Sequence, residues 1–191
     1  MADRISRRTA LGLIGAGFVA APLRGFADEA LRGALREGGH VIYFRHAATT
    51  WSGVDRIEWP REQQRLLSDL GIAQSRQIGA AFAEHGIPVG DVLASPFARC
   101  RDMAEIAFGR VEERMELLGL LSDASGRLAR IEYLRDQLTT PPAPRSNRII
   151  VSHRSNIAEV AGASLAEGEA VVVRPDGAGF STITQVQPNS W

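Results

Sequence analysis

The 191-residue chain predicts an α/β fold, a three-layer αβα sandwich around a mainly parallel sheet. Two patterns carry that prediction. Short apolar, β-branched runs recur along the chain, and segments with helical spacing lie between them. One run, Arg148–Val151, holds three consecutive apolar residues without alternation, as in a strand covered on both faces.

Residues 1–27 stand apart from this pattern. Ser6-Arg7-Arg8-Thr9-Ala10-Leu11 places twin arginines ahead of an apolar, glycine-rich stretch from Leu11 to Ala21, and Gly25-Phe26-Ala27 offers a small-residue cleavage point. The segment reads as a twin-arginine export signal, an address read by the export machinery rather than an anchor. Its apolar run is short of the roughly 20 residues a membrane span takes, so no stable membrane insertion is expected. Gly12, Gly15 and Gly17 imitate a dinucleotide-binding turn, but no strand precedes them. The expected organisation is therefore a signal peptide over 1–27 and one domain over 28–191, placing the mature protein in the periplasm or outside the cell.

Within the domain, Val41–Phe44, Asp91–Ala94, Arg148–Val151 and Ala170–Val173 read as strands, and the alternating stretch Ser181–Gln187 reads as an edge strand. A helix is expected over Leu66–His85, whose apolar residues Leu66, Leu70, Ala73, Ile78, Ala81 and Phe82 share roughly one face. Ser68 caps it and Gly86 stops it before Pro88. Phe97–Phe108 and Ala129–Leu138 are two further helices, the latter ended by the breaker cluster Thr139–Pro144.

Composition narrows the chemistry. Twenty-two basic residues balance 22 acidic ones, and every basic residue is arginine. Without lysine there is no Schiff-base or lysine-nucleophile chemistry. The signal segment holds Arg4, Arg7, Arg8 and Arg24 against Asp3, so the domain carries a small net negative charge and no nucleic-acid footprint. Cys100 is the only cysteine, which excludes an intrachain disulfide or a multi-cysteine metal site.

Three strand ends carry the chemistry. The first presents Arg45 and His46, with Thr49 shortly after; the second runs into Ser95-Pro96-Phe97-Ala98-Arg99; the third ends in Ser152-His153. A parallel sheet gathers these carboxyl ends in one crevice, where ligands of open α/β sheets bind. Two arginines and two histidines would meet there. Guanidinium forks match the equatorial oxygens of a transferring phosphoryl group, and an imidazole nitrogen attacks phosphorus in line and leaves again. This kit requires no metal and no cofactor, because the arginines supply the neutralising charge.

Arg45-His46-x-x-Thr49, Ser95-Pro96-x-x-Arg99 and Ser152-His153 together resemble the signature of the histidine phosphatase superfamily, with its phosphoglycerate mutase-like fold. The resemblance covers the chain from about residue 38 onward, and Leu67-Ser68-x-x-Gly71-x-x-Gln74 is similar to the family's second segment. It implies that His46 is the nucleophile of a phosphohistidine intermediate, that Arg45, Arg99 and His153 complete the phosphate pocket, and that Thr49 supports the loop after the nucleophile. The implied partner is a small phosphorylated substrate.

The chain also departs from the family pattern. Ala47 and Arg154 stand where glycine is usual, and Met103 replaces a frequent threonine. Arg154 would either crowd the pocket or grip a second anionic group of the substrate. No aspartate follows His153, unlike the acid-phosphatase branch. Where the mutase-like branch has a glutamate, the chain reads Leu118-Gly119-Leu120, while Glu112, Glu113, Glu116 and Asp123 read as surface charges. No proton donor is identified, and a general acid is worth about 10²–10⁴-fold in rate. Good leaving groups, such as acyl phosphates or phosphohistidine, are therefore favoured over alkyl esters. A non-catalytic module that binds a phosphorylated ligand is the alternative, and covalent phosphorylation of His46 separates the two. A phosphomutase is disfavoured by the lack of insertions that would hold a released intermediate.

Overall fold

A computed structural model describes residues 22–122 and 125–191, with side chains from residue 29. The twin-arginine motif and its apolar run lie outside the described residues, as does Asp123. Helix α1 (Pro22–Glu37) leads into strand β1 (Val41–Arg45). Then follow α2 (Asp69–Glu84), β2 (Val89–Ala94), α3 (Ala98–Phe108), the short β3 (Glu112–Glu113), α4 (Arg127–Thr139), β4 (Asn147–Ser152), α5 (Arg154–Ala161), β5 (Ala170–Pro175) and β6 (Phe180–Val186).

The six strands form one sheet in the order β3-β2-β4-β1-β5-β6. The first four are mutually parallel, β5 runs antiparallel to β1, and the edge strand β6 runs antiparallel to β5. Successive side chains of a strand face opposite ways, which divides the apolar runs between two cores. Ile42, Phe44, Val92, Ala94, Ile149 and Val151 pack on one face against Leu35 of α1, Ile78 and Phe82 of α2 and Met103 of α3. Val41, Tyr43, Leu93 and Ile150 pack on the other against Leu134 and Leu138 of α4 and Ile157 of α5. Helices thus cover both faces, as expected of a three-layer sandwich. Met103, at the departure from the family's threonine, is fully buried in the first core. No helix among the described residues is long and apolar enough to cross a membrane.

The expected strands and helices all form, with ends shifted by a few residues. Ser68 caps α2 by accepting from the Gly71 amide at 3.2 Å, and Gly86 follows the helix in the left-handed region (φ +62°). Three elements were not among those expected from sequence, the first being the short edge strand β3. Helix α1 runs across the anticipated cleavage point at Ala27, and α5 starts directly after His153.

Register then fixes the geometry at the sheet's carboxyl edge. Phe44 pairs with Val151 and Arg45 with Ser152, while Ala94 also pairs with Val151. The His46 amide donates to the Ser152 carbonyl and the Ser95 amide to the Val151 carbonyl, each at 3.0 Å. His46, Ser95 and His153 therefore leave three adjacent strands at the same level.

Candidate active site

A cavity of about 430 Å³ opens over that edge, lined among others by Arg45, His46, Arg65, Arg99, His153 and Arg154. All the sequence-predicted residues except Thr49 thus lie on one cavity wall.

His46 is 3% exposed, and its Nδ1 lies 3.0 Å from the Ala47 carbonyl oxygen. A carbonyl only accepts, so Nδ1 carries the proton and the lone pair resides on Nε2. Burial, reinforced by the charges of Arg99, Arg45 and Arg65, holds His46 well below the ordinary imidazole range. It is a neutral imidazole with a free nitrogen. The loop behind it is fixed by α2. Gln74 Oε1 accepts from the Ala48 amide at 3.0 Å, and any side chain at Gly71 would collide with the Ala48 carbonyl oxygen. The segment Ser68-x-x-Gly71-x-x-Gln74 thus caps the helix, admits the loop and ties it down. Ala47 is itself fully buried and packs into the first core.

His153 is held by both main chain and side chain. The Tyr43 hydroxyl bonds its carbonyl at 2.8 Å and its amide at 3.1 Å, and ring Nε2 lies 2.8 Å from Ser95 Oγ. Its Nδ1 faces Arg99 Nη2 at 3.5 Å. Burial, then the charges of Arg99, His46, Arg65 and Arg45, keep this ring neutral too. The two imidazoles stand edge to face, 5.7 Å between centroids. Gly119 gives His153 room, since a Cβ there would lie 3.3 Å from its ring.

Arg99 is buried on the first turn of α3, its guanidinium 4.2 Å above the Phe97 ring centroid. Its Nη1 donates to Asp55 Oδ2 at 2.5 Å, while its buried Nε has no partner among the described residues. Arg45 donates to the Leu165 carbonyl at 3.1 Å and to Glu167 Oε1 at 3.2 Å. Arg65 Nη2 reaches the same Glu167 oxygen at 3.0 Å and Thr49 Oγ1 at 2.7 Å, and its Nε is again buried and unpartnered. Thr49 lies behind Arg65, propping it against Glu167, and does not line the cavity. Arg154, the first residue of α5, is exposed at the cavity wall.

Three participants escaped the sequence reading. Arg65 sits two residues ahead of the Leu67-Ser68 segment, and that proximity was its one signal. Asp55 comes from an irregular loop, and Glu167 from the turn before β5. Asp55 is the one carboxylate lining the cavity among the described residues. At the position of the missing mutase-type acid, Leu118 and Leu120 are buried and Gly119 lines the wall. Glu112 pairs with Arg114, and Glu113 with Arg101 at 3.0 Å, away from the site. Trp51 and Trp59 do not line the cavity. Cys100 is buried, which pushes its thiol up to about 12 and keeps it protonated. Among the described residues, no three histidine, cysteine, aspartate or glutamate side chains gather as a metal site would require.

This fold, with imidazoles and guanidiniums at the carboxyl edge of its parallel strands, defines a phosphatase-like α/β protein. The description "Histidine phosphatase superfamily (branch 1)" matches residues 41–160, and the chain belongs to that superfamily. Solved structures agree on the fold. The protein histidine phosphatase SixA complexed with tungstate aligns with a TM-score of 0.57 at 17% identity, covering 78% of this chain and 97% of that one. The alpha-ribazole phosphatase from Shigella flexneri aligns with a TM-score of 0.59 at 15% identity, covering 78% and 96%. A phosphoserine phosphatase mutant from Entamoeba histolytica, in complex with phosphoserine, aligns with a TM-score of 0.54 at 12% identity, covering 79% and 98%. No curated protein matches the sequence.

Proposed function

We propose that the protein is an exported phosphatase that hydrolyses a small phosphorylated substrate through a phosphohistidine intermediate on His46, without a metal. One observation carries this reading. His46 holds its proton on Nδ1 against the Ala47 carbonyl, which leaves Nε2 as a neutral nucleophile on a ring that lines a cavity flanked by Arg45, Arg65 and Arg99. The partnerless Nε–H groups of Arg65 and Arg99 add two buried donors that phosphoryl oxygens would satisfy.

The steps follow from these groups. Nε2 attacks phosphorus, the new P–N bond forms, and the bond to the leaving group breaks with its electron pair on the leaving atom. Arg45, Arg65, Arg99 and His153 hold the equatorial oxygens as charge spreads over them. Water then attacks phosphorus, its proton passes to a phosphoryl oxygen of the product phosphate, and the P–N bond returns its electrons to Nε2. Asp55, the one carboxylate on the wall, is committed to Arg99, so the reaction favours leaving groups that depart without protonation. Acyl phosphates and phosphoanhydrides are such substrates. Arg154 reaches the substrate from the rim.

Export follows from the twin arginines Arg7 and Arg8, with residues 1–27 as signal and 28–191 as the phosphatase domain in the periplasm or outside the cell. Fractionation of the parent and of an Arg7→Lys, Arg8→Lys variant checks this, together with N-terminal sequencing of the secreted form. The catalytic reading is tested by a rapid acid-sparing quench with an aryl phosphate, followed by intact-mass spectrometry. A phosphoryl adduct is expected in the parent and not in His46→Ala. Unchanged hydrolysis by His46→Ala would refute the nucleophile.

A further inference from the structure

A second cavity adjoins the first and shares four of its walls, Val54, Asp55, Leu121 and Ser122. Its volume is about 460 Å³, and the rest of its lining includes Ile57, Met115 and Leu118. Three apolar side chains of its lining face solvent beside the exposed Arg56 and Glu58: Val54 is 75% exposed, Met115 58% and Leu121 88%. Three of the eight exposed large hydrophobic residues among the described ones thus crowd around one opening beside the anion pocket. Exposed apolar side chains gathered this way mark a binding surface, whereas scattered ones need no explanation.

The charges in this second cavity do not oppose an apolar ligand. Arg56 and Glu58 pair with each other at 3.5 Å, and Arg130 turns inward to donate to the Gly119 carbonyl at 3.4 Å. Asp55, the fourth charged residue of the lining, is held by Arg99, and the rest is aliphatic or thioether carbon with the Ser122 hydroxyl. The continuity of the two cavities decides what occupies it. A phosphoryl group on the guanidinium side of Asp55 directs whatever it is attached to past Val54 and Leu121.

The geometry points to a subsite for an apolar leaving group: the substrate is an acyl or aryl phosphate whose organic part carries an alkyl or alkylaryl body. This rests on the phosphatase reading of the first cavity. Compact polar sugars or glycerol would leave Val54, Met115 and Leu121 in water and gain nothing from them. An apolar body removes its own surface and theirs from water together, at about 25 cal/mol for each Å² buried.

Binding and turnover are measured separately so that each reading fails on its own. The probes for binding are 4-alkylphenylphosphonic acids from methyl to hexyl, which the protein does not cleave, titrated by calorimetry. Kd is expected to fall about tenfold or more along the series. In Leu121→Asn/Met115→Gln the dependence on chain length should flatten; both residues are exposed, and an unchanged melting temperature confirms the fold. A Kd independent of chain length, or a slope that survives in the double variant, overturns the subsite. So does a flat slope in a parent that sediments as a dimer which the double variant dissolves, because a second copy then covers the mouth. Turnover of acetyl phosphate reports on the phosphatase reading alone: activity with a flat phosphonate series refutes only the subsite. A steep series without turnover keeps the subsite and refutes hydrolysis.

Discussion

Asp55 Oδ2 stands 2.5 Å from Arg99 Nη1, and the two side chains are 3% and 6% exposed. The same oxygen accepts from the Arg65 amide at 3.1 Å, and Oδ1 accepts from the Arg56 amide at 2.9 Å. The carboxylate therefore neutralises a buried guanidinium, holds it by one nitrogen, and pins the loop that crosses the cavity. By taking Nη1 it leaves the Nε–Nη2 edge of Arg99, the side that can grip two oxygens of one anion.

Removing one partner of such a pair strands the other charge, which costs about 3–5 kcal/mol. Asp55→Ala should thus unfold at a lower temperature than the parent, and inorganic phosphate should raise its melting point by more than it raises the parent's. Phosphate supplies the counter-charge that Arg99 has lost and binds only the folded state. Thermal unfolding with and without phosphate measures both. Equal shifts in the two proteins would place Asp55 outside the electrostatics of the pocket.

Arg65 supports a second prediction. Its guanidinium spans Thr49, Glu167 and the cavity, and its Nε is buried without a partner. A hydrogen bond to a charged group is worth about 1.5–3 kcal/mol, so Arg65→Gln should lower kcat/KM by about 10–100-fold on an aryl phosphate. Arg65→Lys should recover little, because a point charge cannot reach Thr49, Glu167 and the phosphoryl group together. Full recovery by lysine would show that charge alone matters there.

What the sequence conveyed depended on how each residue was delivered. His46, Arg99 and His153 follow apolar runs that can only be buried strands, and parallel pairing aligns the ends of such strands. Their convergence was legible for that reason. Asp55 and Glu167 arrive on irregular segments and meet their arginines across 44 and 102 positions of chain, with no periodicity to announce them. Helix α5 went unread because its eight residues bury only Asn156 and Ile157, too little for an apolar stripe. Thr49 follows His46 by three residues, but its hydroxyl meets Arg65 and Glu167, a pairing that only tertiary contact reveals.

Acid should loosen the fold through its histidines. His40, His46 and His153 are all held below the ordinary imidazole range, in each case first by burial. Unfolded, they titrate near about 6.5, so below that value the unfolded chain binds more protons than the folded one. Their contribution is therefore whole above about pH 6.5 and is lost as the pH falls toward their folded values. Each histidine adds up to about 1.4 kcal/mol per pH unit in that window. Denaturant midpoints between pH 7 and 5 should drop more steeply for the parent than for His46→Gln, which removes one buried imidazole. Parallel curves would mean that His46 takes up no proton on unfolding in this window.

The last prediction concerns a residue that touches no ligand. Gly71 lies on the first turn of α2, where the loop after His46 passes so closely that a Cβ would strike the Ala48 carbonyl oxygen. Gly71→Ala improves helix propensity by about 1 kcal/mol, so propensity alone predicts a stabilised protein. Packing predicts the opposite. Backbone cannot yield as a flexible side-chain tip can, so the loop must move away from the helix. That movement strains the Gln74–Ala48 hydrogen bond and shifts His46 on the cavity wall. A displacement of about 1 Å at a nucleophile costs on the order of 10²-fold in rate. Gly71→Ala should accordingly be less stable than the parent and lose kcat on an aryl phosphate more than it raises KM. Gln74→Leu, which removes the tether without the collision, should show the same kcat-weighted loss in smaller degree. A Gly71→Ala variant with a higher melting temperature and unchanged kcat would show that the loop has room to spare and that α2 does not position His46.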